Sequence, residues 1–329
     1  MLSRRFVMTA ACGAILTACG RGAEDEGPRE PGVIRFAIVK APGPNSDDDR
    51  WSAVLSDLKR ATGLSVKPWF VGSVAALVES MHRRRVDLAL MPSASAMAAV
   101  RRADGEVFAR VLAAEPASQD AAVLLVGPKS RLTLDRILKC DRTVSLGIAA
   151  GGRDEALYAA DAFLFAQKGV GPSRCFREVR RAAPAAILGD LNVQKLDTAI
   201  LEADLASSDR QAAGVRQIWR SPPLPSPSLV WRRDLDPAIK EKLRQFFLTY
   251  GQDDAAERRN LAALGLAGFA PADSSHLLVE REMDAAHAWL EAKASGETAR
   301  ADLAKRDLDV TTAERQDLEA RTGTPAGAQ

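Results

Sequence analysis

The chain has little net charge, few histidines and cysteines, and no repeated long apolar runs, and each shortage excludes something. Lysine and arginine number 45 against 43 acidic residues, a formal charge of +2 in 329 residues. A nucleic-acid footprint needs a clustered basic excess, so no nucleic-acid partner is expected. The 3 histidines and 4 cysteines, with no Cys-x-x-Cys pair, give a zinc site nothing to build from. GxSxG, P-loop and HExxH patterns are missing, and a nucleophilic serine or cysteine needs a base beside it. His82 lies in the basic run MHRRR, and His276 and His287 lie far along the chain, so all three read as surface or packing residues. Asp47, Asp48 and Asp49 read as a solvated loop. The expectation is a protein with no catalytic residues, no metal and no cofactor. A bilayer transporter would repeat apolar stretches of about 20 residues. A disordered chain would fall short of 47% hydrophobic side chains.

What is present begins with an address. Residues 1–18 read as a signal peptide, with Arg4 and Arg5 as the charged start and a small, apolar run from Phe6 onward. The run ends in Leu16-Thr17-Ala18-Cys19-Gly20, the pattern of a bacterial lipobox, which makes Cys19 the expected lipidation site. An acyl anchor there holds an otherwise soluble domain at a membrane. Residues 19–32 are rich in glycine, proline and charge, as a tether is. At the other end, residues 291–329 read as a polar tail, a frayed helix followed by disorder.

Between these ends strands and helices alternate. Residues 33–39, 64–70 and 86–91 read as strands, separated by a helix over 51–62 that stops at Gly63 and a second that Ser73 caps. A further set follows the apolar strand 121–126: strands 143–147, 176–179 and 197–201, with helices over 154–168 and 183–191. Such alternation implies parallel βαβ units. A strand at 229–231 and helices 237–250 and 255–264 then return to the first set. Two α/β lobes with two crossings make a hinged clamshell, with 33–120 and 230–290 as lobe 1 and 121–229 as lobe 2.

The order and spacing of several segments resemble a known family. Ile218-Trp219-Arg220-Ser221-Pro222-Pro223-Leu224-Pro225 followed by 229–237 (LVWRRDLDP) is similar to the second crossing of the phosphate, phosphite and phosphonate-binding proteins of ABC importers. Gly169-Val170-Gly171-Pro172, Lys195-Leu196-Asp197-Thr198-Ala199 and Gly265-Leu266-Ala267-Gly268-Phe269 also fit. The resemblance runs from about Ile34 to His287. It implies a type II periplasmic binding fold, each lobe a mainly parallel sheet flanked by helices. It also implies an exported, monomeric protein that binds a small anionic solute and delivers it to an ABC permease in the inner membrane. A lipoprotein that reports its ligand to a membrane sensor, or one whose ligand has moved away from phosphonate, is the alternative.

The family's anion clamp, a hydroxyl-rich run at a helix N-terminus, corresponds here to Gly151, Gly152 and Arg153, followed by Asp154. The hydroxyls are gone, but glycines permit close backbone approach, a helix N-terminus favours anions, and Arg153 offers a bidentate donor. Ser93 and Ser95 either present hydroxyls to the ligand or simply cap their helix. Asp197 matches an aspartate that meets a ligand amine in some relatives. Of the cysteines left after export, Cys140 and Cys175 precede strands of one lobe. They form a disulfide if those strands are neighbours, and otherwise remain two buried thiols.

Overall fold

The computed structural model describes residues 32–39, 47–114, 121–149, 160–203 and 214–325. Cys19, most of the tether, and Gly151, Gly152 and Arg153 lie outside them.

The first sheet begins with β1 (Val33–Val39). Helix α1 (Asp47–Thr62) connects it to β2 (Ser65–Val71), and α2 (Val74–His82) leads on to β3 (Leu88–Met91). Trp51, Val54, Leu55 and Leu58 recur at helical spacing, and all four are buried against this sheet. Phe36 of β1 meets Trp51 edge-on, ring centroids 5.2 Å apart. Gly63 ends α1 with φ +67°, a left-handed conformation that suits a residue without a Cβ. Ser73 caps α2, its Oγ accepting from the Ala76 N–H at 3.2 Å. Helix α3 (Ser93–Arg102) and β4 (Gly105–Ala113) complete this run.

The chain then crosses to a second sheet: β5 (Ala122–Val126), β6 (Ser145–Ala149), α4 (Ala160–Ala166), β7 (Glu178–Ala182), α5 (Pro184–Asn192), β8 (Thr198–Glu202) and β9 (Arg216–Arg220). Strands β5 and β6 are buried along their whole length, which is why they read as unbroken apolar runs. Cys140 and Cys175 are joined to each other in a disulfide beside the neighbouring strands β6 and β7.

Residues 221–227 carry the chain back to β10 (Ser228–Arg232). Helices α6 (Pro237–Thr249) and α7 (Ala255–Ala263) and strand β11 (Leu266–Pro271) follow. The two helices pack on the first sheet. Phe246, Phe247 and Leu261 share a core with Phe36, Phe108 and Trp231, and Phe108 stacks on Trp231 at 3.9 Å.

The first sheet has the order β11-β4-β10-β3-β1-β2 and the second β7-β6-β8-β5-β9. Both are mixed. The β1, β2, β3 and β6, β7, β8 groups are parallel, while β5, β10 and β11 run against their neighbours.

The C-terminal segment differs from the expectation of a frayed, disordered tail. Helix α8 (Leu278–Ser295) is followed by the 25-residue helix α9 (Thr298–Thr322), and the two pack side by side. Leu308 of α9 is buried with Leu290 of α8, and Arg315 bonds to the buried Glu282. Long-range ion pairs explain the order: Arg281 of α8 reaches Asp307 at 2.7 Å and Glu314 at 2.9 Å. Nor does α8 keep to the first sheet, where residues 230–290 were expected. Its Val279 and Met283 join Leu146, Phe165 and Phe176 in the core of the second. On its other flank Asp284 pairs with Arg101 of α3 at 2.6 Å. Helix α8 therefore holds both lobes.

Candidate ligand-binding site

Open α/β sheets bind ligands outside the carboxyl ends of their parallel strands, where backbone groups and helix N-termini converge. Here those ends are Met91 of β3, Ala149 of β6 and Glu202 of β8. Gly151, Gly152 and Arg153 follow β6 directly, at this edge in sequence.

Ser93 and Ser95 open α3 just beyond Met91, and both are buried. Neither caps the helix: Pro92 occupies the cap position, with no side-chain hydrogen bond to the first turn. Instead the Ser93 Oγ donates to Glu280 Oε2 at 2.9 Å, and Glu280 is itself only 2% exposed. A carboxylate suits the positive end of a helix dipole, so α8 delivers to α3 the negative charge its N-terminus favours. The partners are 187 residues apart, and no local pattern announces the contact.

Asp197 sits elsewhere. It precedes β8 and so lies at the amino edge of the parallel strands, opposite the ligand edge. Its Oδ2 accepts from the Ser145 N–H at 2.8 Å and the Ser145 Oγ at 2.9 Å. Lobe 1 contains the same device. Asp87 precedes β3, and its Oδ2 accepts from the Arg35 N–H at 3.0 Å. Both carboxylates lie 52 residues beyond the N–H they hold. Three residues before each stands a residue with positive φ, Arg84 at 58° and Gln194 at 61°. Asp197 is thus a sheet clasp repeated in both lobes, and its place in the fold does not support contact with a ligand amine.

Other polar groups at the ligand edge carried no sequence signal. Glu202 closes β8 and is half-buried. Asp161 of α4 is buried, which pushes its carboxyl upward against the pull of the Arg181 guanidinium 3.3 Å away. Arg110 of β4 is half-buried, and burial presses its pKa down with no carboxylate to offset it. His276 is buried, its Nε2 donating to the Ser226 carbonyl at 3.0 Å, a packing arrangement. Among the described residues no group of three or more His, Cys, Asp or Glu is placed to hold a metal ion.

Two α/β lobes, two crossings and facing carboxyl edges define a solute-binding protein of the type II periplasmic fold. The family model for phosphonate periplasmic substrate-binding proteins of ABC transporters matches residues 36–277, and the chain belongs to that family. Its members are binding components rather than enzymes. The phosphonates-binding periplasmic protein of Escherichia coli K12 is 26% identical over 256 residues, covering 76% of this chain and 75% of that one. The fold matches that of a binding protein component of an ABC phosphonate transporter from Pseudomonas aeruginosa. That pair has a TM-score of 0.60 and 24% identity, over 87% of this chain and 99% of the other. PhnD1 from Prochlorococcus marinus, solved in complex with methylphosphonate, matches with a TM-score of 0.53 and 15% identity, over 77% and 97% of the two chains.

Proposed function

We propose that this protein is the extracytoplasmic binding component of an ABC importer. It takes up a small anionic solute of the phosphonate or phosphate kind between its lobes and hands it to an inner-membrane permease. The family match over residues 36–277 carries this reading. Binding free energy goes into closing the lobes, the closed form docks on the permease, and no bond is made or broken. Gly151, Gly152 and Arg153 contribute backbone N–H groups and a guanidinium to the anion. Cys19, acylated after cleavage at Ala18, tethers the protein to the membrane as a monomer. Among the described residues no helix is long and apolar enough to cross a membrane, which accords with a tether.

A second reading keeps the importer role but moves the ligand away from phosphonate. Its support is the engagement of Ser93 by Glu280, which places a carboxylate beside a helix end that would otherwise favour an anion.

A thermal-shift panel of phosphate, phosphite, methylphosphonate, aminoalkylphosphonates and carboxylates separates the two. A ligand at 100 times its Kd adds about 2.7 kcal/mol of stability. A response to phosphonates alone supports the first reading, and a response to carboxylates alone the second. Silence across the panel overturns both.

A further inference from the structure

Two polar groups on the first sheet are buried without partners, and they face each other. The Arg110 Nε and the Ser228 Oγ are sealed from solvent, and no hydrogen-bond partner reaches either. Ser228 is 0% exposed. The two residues are directly paired across β4 and β10. Cross-strand partners on one face have Cβ atoms about 4.5–5.5 Å apart. Alternation fixes the face. Ala109 and Val111 enter the core with α1, α6 and α7, as does Leu229, so Arg110 and Ser228 turn to the other side, that of Val107 and Val230.

Their position along the strands matters as much. Ser228 is the first residue of β10 after the second crossing, and Arg110 stands three residues before the end of β4, where the first crossing departs. Ser228 also pairs with Met91, the last residue of β3, directly before the first turn of α3. Met91, Ser228 and Arg110 thus form one row across three strands, spaced about 4.8 Å apart, at the ligand edge of lobe 1. A buried hydroxyl left unpaired costs about 1–3 kcal/mol, and an unpaired buried charge costs more. Such a pair persists where something else completes it.

We propose that Arg110 and Ser228 form the charge anchor of the anion site, donating to ligand oxygens from the hinge floor of lobe 1. This rests on the reading of the protein as a binder of anionic solutes. It assigns the charge-assisted contacts to a strand of the first lobe, across the cleft from the segment whose hydroxyls are replaced by glycine and arginine. The ligand's acid group would then bridge the lobes, with Arg110 on one side and residues 151–153 on the other. A bidentate guanidinium favours a planar pair of acceptor oxygens, as a phosphonate, phosphate or carboxylate presents.

The test titrates the exported full-length chain with methylphosphonate, inorganic phosphate and acetate by calorimetry, and records the melting temperature without ligand. The variants are Arg110→Met, Arg110→Lys and Ser228→Ala. Arg110→Met is expected to weaken the best-bound probe by about 10- to 150-fold, the worth of a hydrogen bond to a charged group. Its ligand-free melting temperature is expected to hold or rise, because an uncompensated buried charge has been removed. Arg110→Lys keeps the charge and recovers part of the affinity; Ser228→Ala loses less than Arg110→Met. If the unaltered chain binds a probe and Arg110→Met binds it equally well, the anchor is refuted while the anion-binding reading stands. A melting temperature that falls in Arg110→Met and Arg110→Lys alike, at unchanged affinity, makes Arg110 a structural residue and also refutes the anchor. If the unaltered chain binds none of the three, the underlying reading fails, and the anchor with it.

Discussion

Individual carboxylates divide by the work they do. Asp141 organises the turn into β6: its Oδ1 accepts from the Thr143 Oγ1 at 2.6 Å, and Arg136 pairs with its other oxygen. Hydrogen bonds from Thr143 and then Arg136 hold its carboxyl at about 2 against an ordinary 3.8. An acid whose folded pKa is depressed contributes stability above its unfolded pKa and loses it as pH falls through the folded one. The unaltered protein should therefore lose part of its stability as pH falls from 3.8 to about 2. Asp141→Asn has no carboxyl to titrate there, so its melting temperature should converge on that of the unaltered protein across the same window. Asp197 gives a different test. Asp197→Ala strips the Ser145 N–H and Oγ of their acceptor and should cost about 1–3 kcal/mol in urea unfolding. Its affinity for the solute should not change. A fall in affinity without a fall in stability would return Asp197 to the ligand.

Elements differ in how openly the sequence announces them. The helix over 51–62 and strands β1, β3, β5 and β8 follow from period and from glycine and serine punctuation, because their partners in the fold are apolar and local. Strand β4 is less open. Glu106 and Arg110 interrupt it, and its pairing with β10 shifts register between Leu229 and Val230, so the period of two never settles. Helix α9 has few apolar positions, and ion pairs to a helix earlier in the chain hold it, which no window of sequence reveals. The site follows the same division. Gly151, Gly152 and Arg153 are found by likeness to a family, whereas Glu280 beside Ser93 and Ser228 beside Arg110 are contacts across more than a hundred residues. Removing residues 297–329 tests the weight of α9. Truncation uncovers Leu290 and leaves Glu282 buried without Arg315. The expected loss is about 2–5 kcal/mol by chemical denaturation.

For the whole molecule, the anchor and the order of assembly are the decisive matters. If Cys19 carries the acyl chain, Cys19→Ser should move the protein from the membrane pellet to the soluble fraction, as read by fractionation and immunoblot. Retention in the pellet would rule the anchor out. Strand β10 has a further consequence. It lies between β3 and β4, yet it is made more than a hundred residues after either. Val279 and Met283 fill the core of the second lobe from still further along the chain. A ribosome that has completed residue 225 therefore holds a first sheet with its middle strand missing and a second lobe with an open side. Neither half can close early, because the long-range contacts that stabilise each come only when the chain is nearly complete. The nascent chain stays loose for most of its synthesis, the condition in which a polypeptide can be threaded through a membrane before it folds.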